Sequence, residues 1–281
     1  MKDLLLFILL VLPFFGNTQS KVLEPINVFD LEYAADPQIS PDGQTIVYVR
    51  NFKDIMKDGN RSNLWMINSD GSNHRPLTTG MQNDRSPRWS PDGKKLIYLS
   101  AKEDKTQIYL RWMDNGMEAR LTNLTDAPNT LTWSPDGKWL AFSMFVPSKG
   151  AFLTTMPSKP KGAEWNAPPV YIDKLKFKAD GQSTILPDGY QQVFIVSTEG
   201  GTPRQITAGA YNYNGISWRP DSKAIVVSTN QKDNWQAAPN DTEVYEINLA
   251  DNQLKSLTDR RGPDNVVGYS VIKQIVKYSK I

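Results

Sequence analysis

A four-residue motif recurs along the chain and constrains its fold more than any other feature. The motif is Ser-Pro-Asp-Gly, and a later copy reads Arg-Pro-Asp-Ser. Proline presets φ, the aspartate side chain caps the turn, and glycine accepts a left-handed backbone, so the motif favours a tight turn. Short apolar segments flank each copy, which predicts that each is the tip of a β-hairpin. The four tetrads begin at Ser40, Ser90, Ser134 and Arg219.

A second hairpin element alternates with the tetrads, and each copy ends in an apolar residue followed by threonine. These dipeptides are Leu77-Thr78, Leu121-Thr122, Ile206-Thr207 and Leu257-Thr258. Two hairpins in a period of about 42 residues give four strands per repeat, which is the size of a β-propeller blade. We therefore predict an all-β propeller with four-stranded blades over residues 21–265, of which about five are present and the ring is incomplete. The alternative is an irregular β-sandwich.

The spacing of the tetrads adds two expectations. Their aspartates, Asp42, Asp92, Asp136 and Asp221, are separated by 50, 44 and 85 residues. The last interval is close to two periods, which predicts a degenerate copy of the repeat between Asp136 and Asp221. One short helix is expected near residues 28–34, ahead of the first blade. An incomplete ring would leave a strand edge and an apolar blade face in water, which predicts marginal stability.

The N-terminus has the pattern of a secretory signal peptide over residues 1–20. Lys2 precedes an apolar run from Leu4 to Phe15 and a small polar tail. A run of about 12 residues is too short to span a bilayer. The alternative is a buried N-terminal helix. The chain has no cysteine for a disulfide or a lipid anchor. These features predict an exported protein, periplasmic or extracellular, with no membrane span after signal cleavage.

Charge and residue types exclude several kinds of site. The net charge is +2 with acids and bases intermixed, whereas nucleic-acid binding requires a basic stripe. The single histidine, His74, lies in a predicted hairpin loop, and neither a nucleophile nor a set of metal ligands accompanies it. We therefore predict no catalytic, cofactor-binding or metal-binding residue and no cofactor.

Three groups of residues invite a functional interpretation, and each has a simpler one. Ser40, Ser90 and Ser134 could suggest a nucleophile, but their place in proline turns explains these serines without a catalytic role. The tetrad aspartates could be calcium ligands, but they lie a whole blade apart, so turn capping is favoured. Trp165 and Trp235 fall outside the repeat and could stack on sugars or peptides; we expect them instead to pack in the core or between blades.

Three further stretches, taken with the tetrads, point to a resemblance with one known family. They are residues 156–181, which include Met156-Pro157-Ser158-Lys159-Pro160 and Trp165; Trp235 with residues 239–245; and Leu257-Thr258-Asp259-Arg260-Arg261-Gly262-Pro263-Asp264. With the tetrads, they make residues 24–265 resemble the propeller of the prolyl oligopeptidase family of serine peptidases, and the related TolB-type propeller repeats. The resemblance implies a propeller that limits entry to short peptides and a following α/β-hydrolase domain with a Gly-x-Ser-x-Gly nucleophile.

The sequence departs from that family in two respects. No Gly-x-Ser-x-Gly occurs in it, so the chain is expected to be inactive alone. Residues 266–281 lack the next tetrad, and we interpret them as an atypical tail, possibly read out of frame; the alternative is a genuine C-terminal strand. The expected function is the non-catalytic propeller part of a secreted peptidase, with peptides or a protein as partner. The alternative is a stand-alone periplasmic TolB-like protein-binding propeller.

Overall fold

The protein is described here by a computed structural model. It covers residues 23–148, 157–166, 172, 174–181, 184–269 and 276–279. The predicted signal peptide, residues 1–20, lies outside this range. Over the described residues the chain forms eighteen β-strands and one short 3-10 helix, Pro25–Asp30. The helix lies earlier than predicted, because Tyr33 and Ala34 pair with Asn51 and Arg50 in the first sheet and are therefore extended.

Sixteen of the strands form four antiparallel sheets, each with its strands in chain order. Sheet 1 contains β1 (Tyr33–Ile39), β2 (Thr45–Asp54), β3 (Gly59–Asn68) and β4 (Arg75–Pro76). Sheet 2 contains β5 (Asp84–Trp89), β6 (Lys95–Ser100), β7 (Gln107–Trp112) and β8 (Glu118–Arg120). Sheet 3 contains β9 (Pro128–Trp133), β10 (Trp139–Pro147), β11 (Gly189–Ser197) and β12 (Arg204–Gln205). Sheet 4 contains β13 (Asn214–Trp218), β14 (Ala224–Thr229), β15 (Glu243–Asn248) and β16 (Leu254–Ser256).

Both repeated elements form the hairpins predicted for them. Each tetrad joins the first and second strands of a sheet, and the second element supplies the third and fourth strands. Its threonine has a structural role that the sequence did not reveal. The Thr122 hydroxyl accepts a hydrogen bond from the Ile108 N–H at 3.0 Å and donates to Gln107 at 3.1 Å. Thr78, Thr207 and Thr258 accept the same backbone bond in the other three sheets.

The sheets pack face to face, with apolar side chains between each neighbouring pair. Val47 and Leu64 of sheet 1 meet Tyr98 of sheet 2 in one buried cluster. Ile97 of sheet 2 meets Phe142 of sheet 3 in a second cluster. The first strands of successive sheets contact one another, whereas every residue of β4, β8 and β12 is exposed at the opposite edge. The first strands therefore form the inner wall of the arrangement, and the fourth strands form its outer rim.

The prediction of a degenerate repeat between Asp136 and Asp221 is wrong. Ala141 of sheet 3 and Ile225 of sheet 4 share one buried cluster, so these two sheets are direct neighbours. The extra length is a single connection, residues 148–188, between the second and third strands of sheet 3. We call this segment the insertion.

The alternating strand directions give the molecule two distinct ends. The tetrads and the turns between third and fourth strands lie at one end, which we call the tetrad end. The insertion and the connections from one sheet to the next lie at the other, which we call the loop end. This follows from the antiparallel pairing of every neighbouring strand pair within the four sheets.

Part of the predicted atypical tail is paired. β17 (Asn265–Tyr269) and β18 (Val276–Ser279) form a two-stranded antiparallel sheet. β17 contacts β13, so it takes the place of the first strand of a further sheet next to sheet 4. At the other side of the molecule, Ile39 and Tyr33 of β1 are 66% and 60% exposed. Ile39 pairs with Ile46, on the face away from sheet 2, whereas Tyr33 pairs with Asn51, on the same face as Val49. Sheet 1 therefore presents the Ile39 side chain to water on the face away from sheet 2.

Candidate functional site

The tetrads are structural turns. In the first tetrad the Ser40 hydroxyl donates to the Asp42 carboxylate at 2.6 Å and accepts from the Thr45 N–H at 2.9 Å. The second and third tetrads repeat this geometry. Ser40, Ser90 and Ser134 are buried, so their oxygens are committed to the turn. The hydroxyl of Ser40 lowers the pKa of Asp42, and that of Ser90 lowers the pKa of Asp92.

The fourth tetrad differs from the others at two residues, and both of these residues form hydrogen bonds. Asp221 caps the turn by accepting from the Lys223 N–H at 3.0 Å, and Arg219, which replaces serine, donates to its carboxylate and lowers its pKa. Ser222, which replaces glycine, has a φ of 60°. Its hydroxyl accepts a hydrogen bond from the Asp136 N–H of the preceding tetrad at 3.1 Å. The substitution therefore links sheet 4 to sheet 3.

His74 lies on the exposed surface of sheet 1, in the turn where it was predicted. A 2.7 Å hydrogen bond joins its Nε2 to the Tyr48 hydroxyl, and its ring lies 5.1 Å from that of Trp65. Within the described residues no three potential metal ligands of the His, Cys, Asp or Glu types cluster together. In the same ranges no helix is long and apolar enough to cross a membrane.

The inner wall carries a polar feature that the sequence analysis missed. Each first strand has a β-bulge, and one residue of each bulge has a positive φ. These residues are Asp36, Ser86, Thr130 and Gly215, with φ of 45°, 57°, 47° and 63°. A bulge redirects side chains and is common beside functional sites. Each of the four residues lies six positions before its tetrad aspartate. This constant spacing is the feature of the sequence from which the bulges could have been predicted.

Two charged residues join the first bulge to the neighbouring sheet. Arg88 Nη1 donates to both carboxylate oxygens of Asp36, at 3.0 and 2.8 Å. The Gln38 amide donates to the same carboxylate at 2.7 Å. The Trp89 indole N–H donates to the Gln38 carbonyl at 3.0 Å. The inner wall between sheets 1 and 2 is therefore polar and held by directional bonds.

Arg85 is the half-buried cation of this wall. It lies beside the bulge at Ser86 and pairs across the sheet with Leu99, which is buried on the side facing sheet 3. Burial lowers the pKa of its guanidinium. No hydrogen bond or salt bridge links its side chain to another residue of the described ranges. A half-buried cation of this kind is costly unless an anion or a polar ligand compensates it.

The insertion lies at the loop end, beside the connection between β14 and β15. The Leu175 N–H donates to the Gln236 side chain at 2.9 Å. Lys174 forms a salt bridge with Asp188 and lies over the Tyr190 ring at 4.5 Å. Trp235 is half-buried and packs edge-on against Tyr190, as expected for a packing residue.

The insertion also exposes apolar side chains. Trp165 is 47% exposed, so it does not pack in the core or between blades as we expected. Ile172, Leu175, Phe177 and Ile185 are exposed as well. The described part of the insertion therefore presents apolar side chains to water at the loop end.

Comparison with known proteins agrees with this architecture. The model of the TolB beta propeller domain matches residues 17–158, half of the chain. The chain belongs to this family. A second model, that of the dipeptidyl peptidase IV N-terminal region, matches residues 163–275 and thus includes most of the insertion. The resemblance to the propeller portion of prolyl oligopeptidase-family peptidases is thereby confirmed.

Individual relatives are also peptidases by name. The chain is 29% identical over 211 residues to the uncharacterized peptidase YuxL of Bacillus subtilis, covering 75% of this chain and 31% of that protein. It is 29% identical over 127 residues to dipeptidyl-peptidase 5 of Porphyromonas endodontalis, covering 45% of this chain and 18% of that protein. The chain thus spans less than a third of the length of these curated relatives.

A solved structure supports the fold. Acylaminoacyl peptidase of Pyrococcus horikoshii superposes with a TM-score of 0.63 at 14% sequence identity, covering 85% of this chain and 34% of that one. At this identity the likeness concerns the fold. The prediction of an all-β propeller built from four-stranded sheets is confirmed at that level.

Proposed function

We propose that this chain is the non-catalytic propeller part of a secreted prolyl oligopeptidase-like serine peptidase. In this proposal the propeller restricts which peptides reach the catalytic centre, and the nucleophile belongs to a hydrolase domain outside these residues. The observation that carries the proposal is the pair of family matches along the chain, the second of which is to a peptidase N-terminal region.

The inner wall supports the gating part of the proposal. The first strands converge, and the bond between Asp36 and Arg88 holds two of them together. A peptide passing along this wall would meet polar bulges and the half-buried guanidinium of Arg85. Such a wall can bind peptide carbonyls and carboxylates while its directional bonds resist widening.

The positions of the serine and histidine side chains support the proposal that this chain is non-catalytic. The buried tetrad serines are bonded to aspartates, and His74 is bonded to a tyrosine at the surface. A serine nucleophile requires a histidine base within hydrogen-bond reach. The purified chain should therefore resist labelling by a fluorophosphonate probe under conditions that label a serine peptidase of the same family. Stoichiometric labelling of any serine would overturn this part of the proposal.

The TolB family match also favours a second candidate, a periplasmic propeller that binds proteins. In that candidate the chain would act without a hydrolase domain, and its surface would be the functional element. Export to the periplasm or the cell exterior is proposed in both cases. Recovery of the processed protein from a periplasmic extract, with residues 1–20 removed, tests the export; a full-length cytoplasmic product would contradict it.

A further inference from the structure

A groove between sheets 3 and 4 at the tetrad end has the composition of a binding site. It has a volume of about 480 Å³, within the range of small-ligand sites. Leu249 contributes apolar surface, Trp139 lies at the beginning of β10, and Arg204 and Lys223 contribute positive charge. Ile195 also lines the groove but is buried.

Trp139 is not explained by the packing of the repeat. It follows its tetrad aspartate by three positions, where the other sheets have Thr45, Lys95 and Ala224. Its side chain is 39% exposed. A large aromatic residue at a position that the other sheets fill with smaller or charged residues, and left partly in water, is available to pack against a ligand.

Two of the three cations that line the groove form no salt bridge with an acid of the described residues. Arg204 Nη1 donates to the Asn252 side chain at 3.0 Å, and its Nη2 donates to the Leu249 carbonyl at 3.2 Å, so both partners are neutral. Within the described ranges, no hydrogen bond or salt bridge involves the Lys223 ammonium. Arg219, by contrast, is neutralised by Asp221 and Glu246. Together with the Arg219 hydrogen bond, the Lys223 charge helps to lower the pKa of the Asp221 carboxyl. Three cations, Arg204, Arg219 and Lys223, therefore face two acids, Asp221 and Glu246, which leaves an excess of positive charge beside apolar surface.

We infer that this groove binds the C-terminus of a peptide, with the terminal carboxylate between Arg204 and Lys223 and an apolar last side chain against Trp139. Guanidinium donors form strong charge-assisted bonds to a carboxylate. The adjoining surface of Trp139 and Leu249 favours an apolar last residue over a polar one. No residue of the first strands β9 and β13 lines the groove, so it is a separate site from the inner wall.

Isothermal titration of the full chain with the dipeptide acid N-acetyl-Ala-Phe, and with its C-terminal amide, tests the inference. Binding at this groove needs no hydrolase domain, so the result is independent of the proposed function. We expect the acid to bind at least about tenfold more tightly than the amide, as the loss of one charge-assisted contact implies. Equal binding of acid and amide, or no binding of either, would overturn the inference.

Variants locate the site. The Lys223 ammonium makes no hydrogen bond or salt bridge within the described ranges, so Lys223→Gln should weaken binding of the acid about tenfold without loss of a bond in the fold. Trp139→Leu should weaken binding of the acid as well. Arg75→Gln is the matched control, because Arg75 occupies the position of Arg204 in sheet 1 and donates to Asn73 at 3.1 Å. It should leave binding unchanged. Inorganic phosphate that competes as strongly as the acid, or an unaffected Lys223→Gln, would show that the groove is not a peptide-carboxylate site.

Discussion

Arg88 of sheet 2 donates hydrogen bonds to both carboxylate oxygens of Asp36 in sheet 1, at 3.0 and 2.8 Å. Asp36 lies at the bulge of β1, so this ion pair fastens two neighbouring inner strands at the point where the wall is most irregular. The two side chains are 33% and 30% exposed, so solvent screens part of their attraction.

The ion pair is expected to contribute modestly to stability. A double-mutant cycle of Asp36→Asn and Arg88→Gln in urea unfolding should give a coupling of about 0.5–1 kcal/mol, the range of partly exposed pairs. The coupling should fall in 1 M salt, because added ions screen it. A coupling of zero would indicate that the two strands are held by the surrounding bonds alone.

The inner-strand tryptophans provide a matched pair of substitutions. The Trp133 indole N–H donates to the Arg88 carbonyl of sheet 2 at 3.0 Å. The Trp218 indole is equally buried, but its N–H has no acceptor among the described residues. Both Trp→Phe changes remove similar apolar area, so Trp133→Phe should be more destabilising by about 1 kcal/mol, the contribution of a hydrogen bond. Equal losses in chemical unfolding would refute the assigned role of the Trp133 bond.

The threonine of the second repeat element should be sensitive to loss of its hydroxyl. Thr122→Val keeps the shape but leaves the Ile108 N–H and the Gln107 side chain without this partner inside the protein. The free energy of unfolding should fall by about 1–3 kcal/mol. Thr125→Val, at an exposed position three residues later, is the control and should change stability by less than about 0.5 kcal/mol. Similar effects at both positions would contradict the interpretation.

Gly189 closes the base of the insertion. A Cβ at this position would clash with the Phe145 ring and the Val146 carbonyl and lie 2.8 Å from Pro147 Cα. Gly189→Ala should therefore destabilise the protein by about 1–3 kcal/mol, as overpacking does. Gly59 occupies the same place in sheet 1, and its added Cβ would meet nothing nearer than 3.7 Å. Gly59→Ala should be tolerated. Thermal melts of the two variants test this prediction, and equal melting temperatures would contradict it.

The tetrad aspartates predict how stability responds to acid. Serine hydroxyls lower the pKa of Asp42 and Asp92, and Arg219 lowers that of Asp221. A carboxylate with a lowered pKa stabilises the fold above its unfolded value of about 3.9, and that contribution is lost as pH falls through the folded value. Urea midpoints should therefore be insensitive to these groups from pH 7 to 5 and fall below about pH 4. The Asp42→Asn, Asp92→Asn double variant should show a weaker acid dependence; an unchanged profile would argue against the turns as its source.

Local chemistry made the hairpins predictable. A Ser-Pro-Asp-Gly turn is specified by four adjacent residues, and the strand after Asp92 is apparent from its apolar run, so β6 and its partners followed from the sequence. The spacing of the tetrads alone does not determine the number of sheets. An 85-residue interval is compatible with an additional sheet or with an insertion inside one, and the shared cluster of Ala141 and Ile225 decides for the insertion.

Contacts between residues that are distant in the chain could not be predicted from the sequence. Arg88 and Asp36 are 52 residues apart, and their pairing depends on how two sheets stack and on a bulge that turns Asp36 toward its neighbour. The unpaired state of Arg85 and the groove beside Trp139 have the same origin, since each is a property of two sheets together. A single sequence specifies turns and strand faces more directly than it specifies such junctions.

The most direct test of the account is to sequence the gene through the codon for Ile281 and translate the following DNA in all three forward frames. The account predicts further tetrad turns and then an α/β-hydrolase pattern with Gly-x-Ser-x-Gly followed by Asp and His, which would make this chain the propeller part of a secreted serine peptidase. A clean intergenic region with no such pattern would contradict it and would favour a TolB-like protein-binding propeller.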